Sequence, residues 1–333
     1  MTFVGRRGFL GAIGGAGLVV AGATASAAEP HVHAPDDMAG MGGMSGMVGT
    51  VGQVDHARNG FTPTELLTEF DWGVVSREGG RTVRTYHLTA TEKEIEVAPG
   101  VRYPAWTYNG RVPGPTIRAV EGDLMRITLD NATDHLHSVH FHGFHPASMD
   151  GVPGQREAAP RGSVTYEFTA EPFGLHLYHC HSLPLRMHLA RGLYGAFIVD
   201  PRAGRPPANE HVMVLNAFDT DFNAANEIYA VNTVAFAYAH EPIPVRAGEL
   251  QRAYVVNLTE FDPLNSIHLH ATFFDLFRTG TSLTPHEFTD IVSMGQAERH
   301  IIEFRYREPG QYMFHAHQTE FTDLGWMGMF EVT

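Results

Sequence analysis

One passage of this chain is written twice. The run from Gly122 to Asn131 leads to His140-Phe-His142, and the run from Gly248 to Asn257 leads to His268-Leu-His270. Tyr166-Glu-Phe168 precedes Gly174 and then Tyr178-His-Cys-His181; Ile302-Glu-Phe304 precedes Gly310 and then Phe314-His-Ala-His317. Two units of one design follow. Short β-prone runs (Arg84 to Leu88, Glu94 to Val97, Leu124 to Leu129, Val164 to Phe168, Gly195 to Val199) alternate with Gly, Pro, Asn and Asp. That rhythm predicts an all-β protein of sandwiches or barrels. With 333 residues there is room for two domains, expected over 61–200 and 201–333, with the join in the stretch Pro201 to Pro207.

Histidine is the second constraint. Alternate residues of a strand face the same way, so a His-x-His pair aims two imidazoles into one space. The chain has 21 His, for which chance supplies about one such pair. Six occur: His31/His33, His135/His137, His140/His142, His179/His181, His268/His270 and His315/His317. Four of them fall at matching places in the two repeats, two per unit. An isolated His is ordinarily a satisfied or exposed side chain, but four duplicated pairs argue for metal. By softness alone, eight imidazoles suit Cu, Zn, Fe or Ni.

The single Cys narrows the choice. Cys180 lies inside the third pair, so its side chain faces away from His179 and His181, toward His137 and the loop carrying His188. Two His and one thiolate make the trigonal ligand set of a blue-copper electron-transfer centre. One Cys also excludes an intramolecular disulfide.

Lys plus Arg number 23 against 37 Asp plus Glu, a formal charge of −14, which argues against nucleic-acid binding. At the start, Arg6 and Arg7 precede a small-apolar stretch and the Ala25-Ser-Ala27 cleavage pattern. This resembles a twin-arginine (Tat) signal over 1–27, and implies export to the periplasm or the medium. Residues 28–60 hold Met38, Met41, Met44 and Met47 among Gly and Ser, expected to be a flexible segment. It is read either as a plain linker or as a Cu(I) collector. No later stretch has a membrane-spanning length.

The motifs resemble those of a known family. Leu177-Tyr-His-Cys-His181, continuing through His188 to Gly195, is similar to the cysteine motif of multicopper oxidases. So are Tyr108-Asn-Gly-Arg-Val-Pro-Gly-Pro-Thr-Ile117 and His137-Ser-Val-His-Phe-His-Gly143. The resemblance is greatest to two-domain, laccase-like members with blue copper in the first domain, relatives of copper nitrite reductase. It implies two tandem cupredoxin-like Greek-key β-sandwich domains.

The resemblance further implies a type 1 copper held by His137, Cys180 and His188, with Leu193 at the axial position. Leu cannot ligate, and Met187 is the fallback. It implies a trinuclear copper cluster on His140, His142, His179, His181, His268, His270, His315 and His317, with His140 and His268 on the type 2 copper. About four coppers per chain follow. Ala316 replaces the needed Cys, so the second domain carries no blue copper. Asp150 matches an acidic residue near the type 2 copper and is assigned proton supply; Asp275, Glu320 and Asp323 are weaker candidates. The cluster is expected between subunits of a homotrimer. Electrons would come from a phenol, an aromatic amine, Cu(I) or a small redox protein through His137 or His188 near the surface, and reduce O2 to water.

Two alternatives stand beside this. A copper nitrite reductase needs Asp where His140 stands and an apolar residue where His181 stands. A non-enzymatic periplasmic copper-binding protein needs no eight-His set.

Overall fold

The computed structural model describes residues 53–333. The expected signal (1–27) and the four methionines of the Gly-rich segment lie outside the described residues. Packing begins earlier than 61, however. Asp55 caps the short helix His56–Asn59, and Asn59 is buried, exchanging hydrogen bonds with the Glu96 backbone at 2.9 and 2.7 Å. The C-terminal end of the expected flexible segment is thus part of the fold.

Four sheets form two sandwiches. The duplication seen in sequence reappears in the pairing. In the first unit Arg81–Ala98 runs parallel to Leu124–Asn131, which pairs antiparallel with Ser163–Thr169. In the second unit Asn209–Phe218 runs parallel to Gln251–Asn257, which pairs antiparallel with Arg299–Phe304. The facing sheets match as well. Ile117–Val120 lies parallel to Tyr194–Asp200, followed by Gly174–His179 and His140–Phe141. Its counterpart is Ile243–Val245 parallel to Met327–Val332, followed by Gly310–His315 and Leu264–Leu269. Both halves are cupredoxin-like Greek-key sandwiches.

The expected strands all form, with one merger. Arg84–Leu88 and Glu94–Val97 belong to a single strand, Arg81–Ala98. The polar run between them stays extended because the strand changes partners there, pairing with Leu124–Asn131 up to Ala90 and with Val101–Tyr108 beyond it. Each sandwich encloses its own core. Tyr86, Ile127, Phe141 and Leu177's neighbour Tyr178 help fill the first, and Val255, Ile302, Phe314 and Trp326 the second. A third apolar cluster, with Ile95, Leu175, Tyr194, Val212, Tyr254 and Ile301, joins the two.

Candidate metal centre

Strand register builds the first histidine quartet. His140 and His179 are cross-strand partners, and each brings a second ring two residues on. The ring centroids of His140 lie 5.1, 5.2 and 5.2 Å from those of His142, His179 and His181. The second unit repeats this: His268 is the cross-strand partner of His315, with centroids 5.1, 5.4 and 5.7 Å from His270, His315 and His317.

Backbone carbonyls fix the tautomers. His140 Nδ1 donates to Asp150 O at 2.9 Å, and His179 Nδ1 to Cys180 O at 2.9 Å. His268 Nδ1 donates to Asp290 O at 2.8 Å, and His315 Nδ1 to Ala316 O. A carbonyl only accepts, so in each neutral ring the proton sits on Nδ1 and Nε2 keeps a lone pair. Those lone pairs point inward. His179 Nε2 is 3.3 Å from His142 Nε2, and His315 Nε2 is 3.0 Å from His270 Nε2. Burial, reinforced by neighbouring rings, pulls His142 down to about 3 and His179 to about 4, so protonation does not resolve the crowding. Bound cations would.

The lone Cys faces the opposite way. Cys180 Sγ lies 3.1 Å from His188 Nδ1 and 3.8 Å from His137 Nδ1, and accepts the Ser138 backbone N–H at 3.4 Å. Burial pushes the thiol up and draws His137 to about 3 and His188 to about 4. Two neutral imidazoles and one sulfur converge in an apolar pocket, a set suited to copper rather than to a hard cation. His188 arrives on a helix, Leu185–Ala190, rather than on a loop. Leu193 is buried in the same cluster as Cys180, while Met187 is exposed. His137 and His188 are also buried, so neither is the surface contact expected of them.

Asp150 closes a short 3-10 turn, Ala147–Met149. Its Oδ1 sits 3.0 Å from His140 Nδ1 and 3.6 Å from His145 Nε2. Sequence reasoning missed His145, and also Asp290, which stands to His268 as Asp150 stands to His140. Glu260 was missed too. It borders a cavity of about 490 Å³ shared with the first quartet and Arg186, where burial, opposed by Arg186, lifts its carboxyl to about 6. Asp275, by contrast, sits on Phe274–Arg278 opposite Glu303. Glu320 and Asp323 lie exposed on Thr319–Asp323.

The family profile described as multicopper oxidase matches residues 89–204, and a second of the same description matches 205–333. The chain belongs to the multicopper oxidase family. A solved structure described as a multicopper oxidase is 51% identical, with a TM-score of 0.83, covering 84% of this chain and 100% of that one. The blue copper oxidase of Nitrosomonas europaea is 27% identical, TM-score 0.69, over 75% of this chain and 86% of its own. Copper-containing nitrite reductase of Neisseria meningitidis is 30% identical over 247 residues, 68% of this chain and 63% of that protein. The chain thus spans under two thirds of the length of the nitrite reductases it matches. Copper resistance protein A of Escherichia coli is 36% identical over 143 residues, 41% of this chain and 23% of that protein. As a multicopper oxidase family member, the chain is an oxidoreductase that uses copper, and no helix among the described residues is long and apolar enough to cross a membrane.

The second half of this multicopper oxidase family chain carries other residues at the positions equivalent to the Cys180 triad. Ser138 Oγ accepts the His181 N–H at 3.0 Å, and Ser266 Oγ accepts the His317 N–H at 2.8 Å. Cys180 N–H donates to Leu193 O, and Ala316 N–H to Trp326 O. Leu193 N–H donates to His188 O, and Trp326 N–H to Phe321 O. These matches equate His137, Cys180, His188 and Leu193 with Asn265, Ala316, Phe321 and Trp326. None of the four replacements is a strong metal donor.

Proposed function

We propose that the protein is a laccase-like oxidase, which couples one-electron oxidation of a reductant at a type 1 site to four-electron reduction of O2 to water. His137, Cys180 and His188 hold the type 1 copper, with Leu193 at the non-ligating axial position. The eight-histidine set of His140, His142, His179, His181, His268, His270, His315 and His317 holds the trinuclear cluster, His140 and His268 serving the type 2 copper. About four coppers per chain result. Bound copper supplies one-electron exchange at the first site and dioxygen reduction at the second.

The chain's own residues do the rest. Cys180 is covalently flanked by His179 and His181, so an electron leaving the sulfur has a short bonded path to the first quartet. Asp150, hydrogen-bonded to His140 Nδ1, keeps that ring's Nε2 lone pair aimed inward and holds a proton within reach of the site. Among the described residues, ring contacts run within each quartet and none runs between them. In keeping with this, the family resemblance implies that a second copy of the chain completes the site, in a homotrimer. We take 61–200 and 201–333 as the two domains, and the protein as exported by a Tat-type signal to the periplasm or the medium.

The observation that carries this reading is the pair of matching quartets with inward Nε2 atoms. A nitrite reductase, the reading favoured by the 30% identical relatives, needs an Asp in place of His140. Metal analysis with EPR, joined to oxygen-uptake and nitrite-reduction assays, decides between them. One type 1 and one type 2 copper, without a coupled pair and with nitrite turnover, would reject the oxidase.

A further inference from the structure

The Cys180 triad is sealed from solvent. His137 and Cys180 are 0% exposed and His188 is 2% exposed, so a donor in solution touches none of these side chains. Trp106, itself 8% exposed, covers them. Its ring stands edge-on to His188, with centroids 4.9 Å apart, and edge-on to His137 at 5.4 Å. The Trp106 backbone N–H donates to Arg191 O at 2.9 Å, tying its strand to the residue that ends the helix bearing His188. Beyond Trp106 lies His135, its ring tilted 34° to the indole at 4.7 Å. Half of the His135 side chain is exposed, and its Nε2 is 3.6 Å from Glu92 Oε1. Glu92 is the cross-strand partner of Trp106. Leu136, next to His135 in the chain, is 48% exposed.

The geometry points to Trp106 and His135 as the electron port of this protein, serving a phenolic donor that lies against His135 and gives its proton to Glu92. This rests on the type 1 reading above. Electron tunnelling weakens steeply with every ångström of gap, and His135–Trp106–His188 is a chain of rings in contact from solvent to the triad. A flat aromatic donor matches a half-exposed imidazole with an exposed apolar neighbour, Leu136. One imidazole beside a carboxylate is a poor set for soft Cu(I). In the step, a phenol loses one electron, through the His135 and Trp106 rings, to the oxidised centre. Its O–H proton passes to the Glu92 carboxylate, leaving a neutral phenoxyl radical. Trp106 bridges and is not itself left oxidised.

Anaerobic stopped-flow on the copper-loaded protein tests this by following the bleaching of the thiolate-to-copper band. The donors are 2,6-dimethoxyphenol and hexacyanoferrate(II), which carries no proton to lose. His135→Ala and Trp106→Leu should slow both donors by about tenfold or more, while band position and midpoint potential stay put. His135→Phe, which keeps a ring face, should recover most of the rate. Glu92→Gln should slow only the phenol. In the copper-free protein, titration with the phenol should shift the His135 ring resonances in proton–nitrogen NMR spectra. Unchanged rates in His135→Ala with an intact band would overturn the port. Absence of any such band in the wild-type protein would instead sink the type 1 reading beneath it.

Discussion

Trp326 donates its indole N–H to Asn265 Oδ1 at 2.9 Å, fully buried, at the positions equivalent to Leu193 and His137. The indole fills the second sandwich where the first gathers its sulfur and imidazoles. Asn265 Nδ2 in turn donates to Thr259 Oγ1 at 2.9 Å. This hydrogen-bonded plug packs against the strand Gly310–His315 and the turn carrying His317, through Phe314 and the Ala316 N–H.

Removing the plug should cost stability and disturb the second quartet. Trp326→Phe keeps most of the volume but removes one of the two donors to Asn265 Oδ1, which still accepts the Ser266 N–H at 2.8 Å, at about 0.5–1.5 kcal/mol. Trp326→Ala opens a cavity and should cost about 3–5 kcal/mol. Urea denaturation of the copper-free protein measures both. Equal stability of all three proteins would show that the hydrogen bond and the indole packing carry no weight.

Much of this was legible in the sequence because strand periodicity converts spacing into direction. His142, Cys180 and His181 fall just beyond the strand ends His140–Phe141 and Gly174–His179, yet the alternation carries on: Cys180 faces His137 and His188, while His179 and His181 face His140. What came from farther away in the chain was not legible. Asp290 reaches His268 through a loop 22 residues on, and Glu260 reaches the first quartet through inter-domain packing. The sealing of His137 and His188 under Trp106 depends on the partner strand Val101–Tyr108, which no local pattern near the ligands announces. His188 on a helix was missed because Leu185–Ala190 is under two turns long, too short to show a period.

Cys180→Ser should abolish the intense visible band and steady-state oxidase activity, while the trinuclear site stays largely loaded. Cys180 and the two flanking His face opposite ways, so they serve separate sites. Visible absorption and copper content check this together. A variant that keeps the full band would show that Cys180 is not the sulfur ligand.

Leu193→Met should lower the midpoint potential of the proposed type 1 copper, because it adds a weak axial donor where a buried alkyl group now sits. Protein-film voltammetry reads the change. If neither potential nor spectrum moves, residue 193 does not face the axial position.

The copper-free protein should be sensitive to acid. Burial holds His137 and His142 at about 3, and His176, His179, His188 and His300 at about 4, against an ordinary 6.5. The unfolded chain then binds more protons than the folded one throughout this window. Stability is full above pH 6.5 and falls as pH drops toward 4, each group contributing at most ~1.4 kcal/mol per pH unit. Copper held by His137, His142, His179 and His188 should raise stability over this range without flattening the loss, because ligation keeps those rings unprotonated in the folded protein as well. Urea midpoints from pH 7.5 to 4.5, with and without copper, test it; a flat copper-free profile would contradict the burial argument.

The last prediction concerns assembly. Each sandwich supplies four histidines, and among the described residues the two quartets make no ring contact; on the proposed reading a complete eight-histidine site takes one quartet from each of two copies. A variant carrying His140→Ala and His142→Ala should be inactive alone, and so should one carrying His315→Ala and His317→Ala, because every site lacks two ligands. Mixed trimers behave differently. Where an intact first quartet of one copy meets an intact second quartet of the next, all eight histidines are present. Co-expression of the two variants should therefore restore part of the oxidase activity and part of the coupled-pair copper spectrum. Differently tagged subunits purified in tandem establish that mixed assemblies formed. If they form and neither activity nor spectrum returns, the eight histidines are not shared between copies, and the case for an obligate oligomer falls with them.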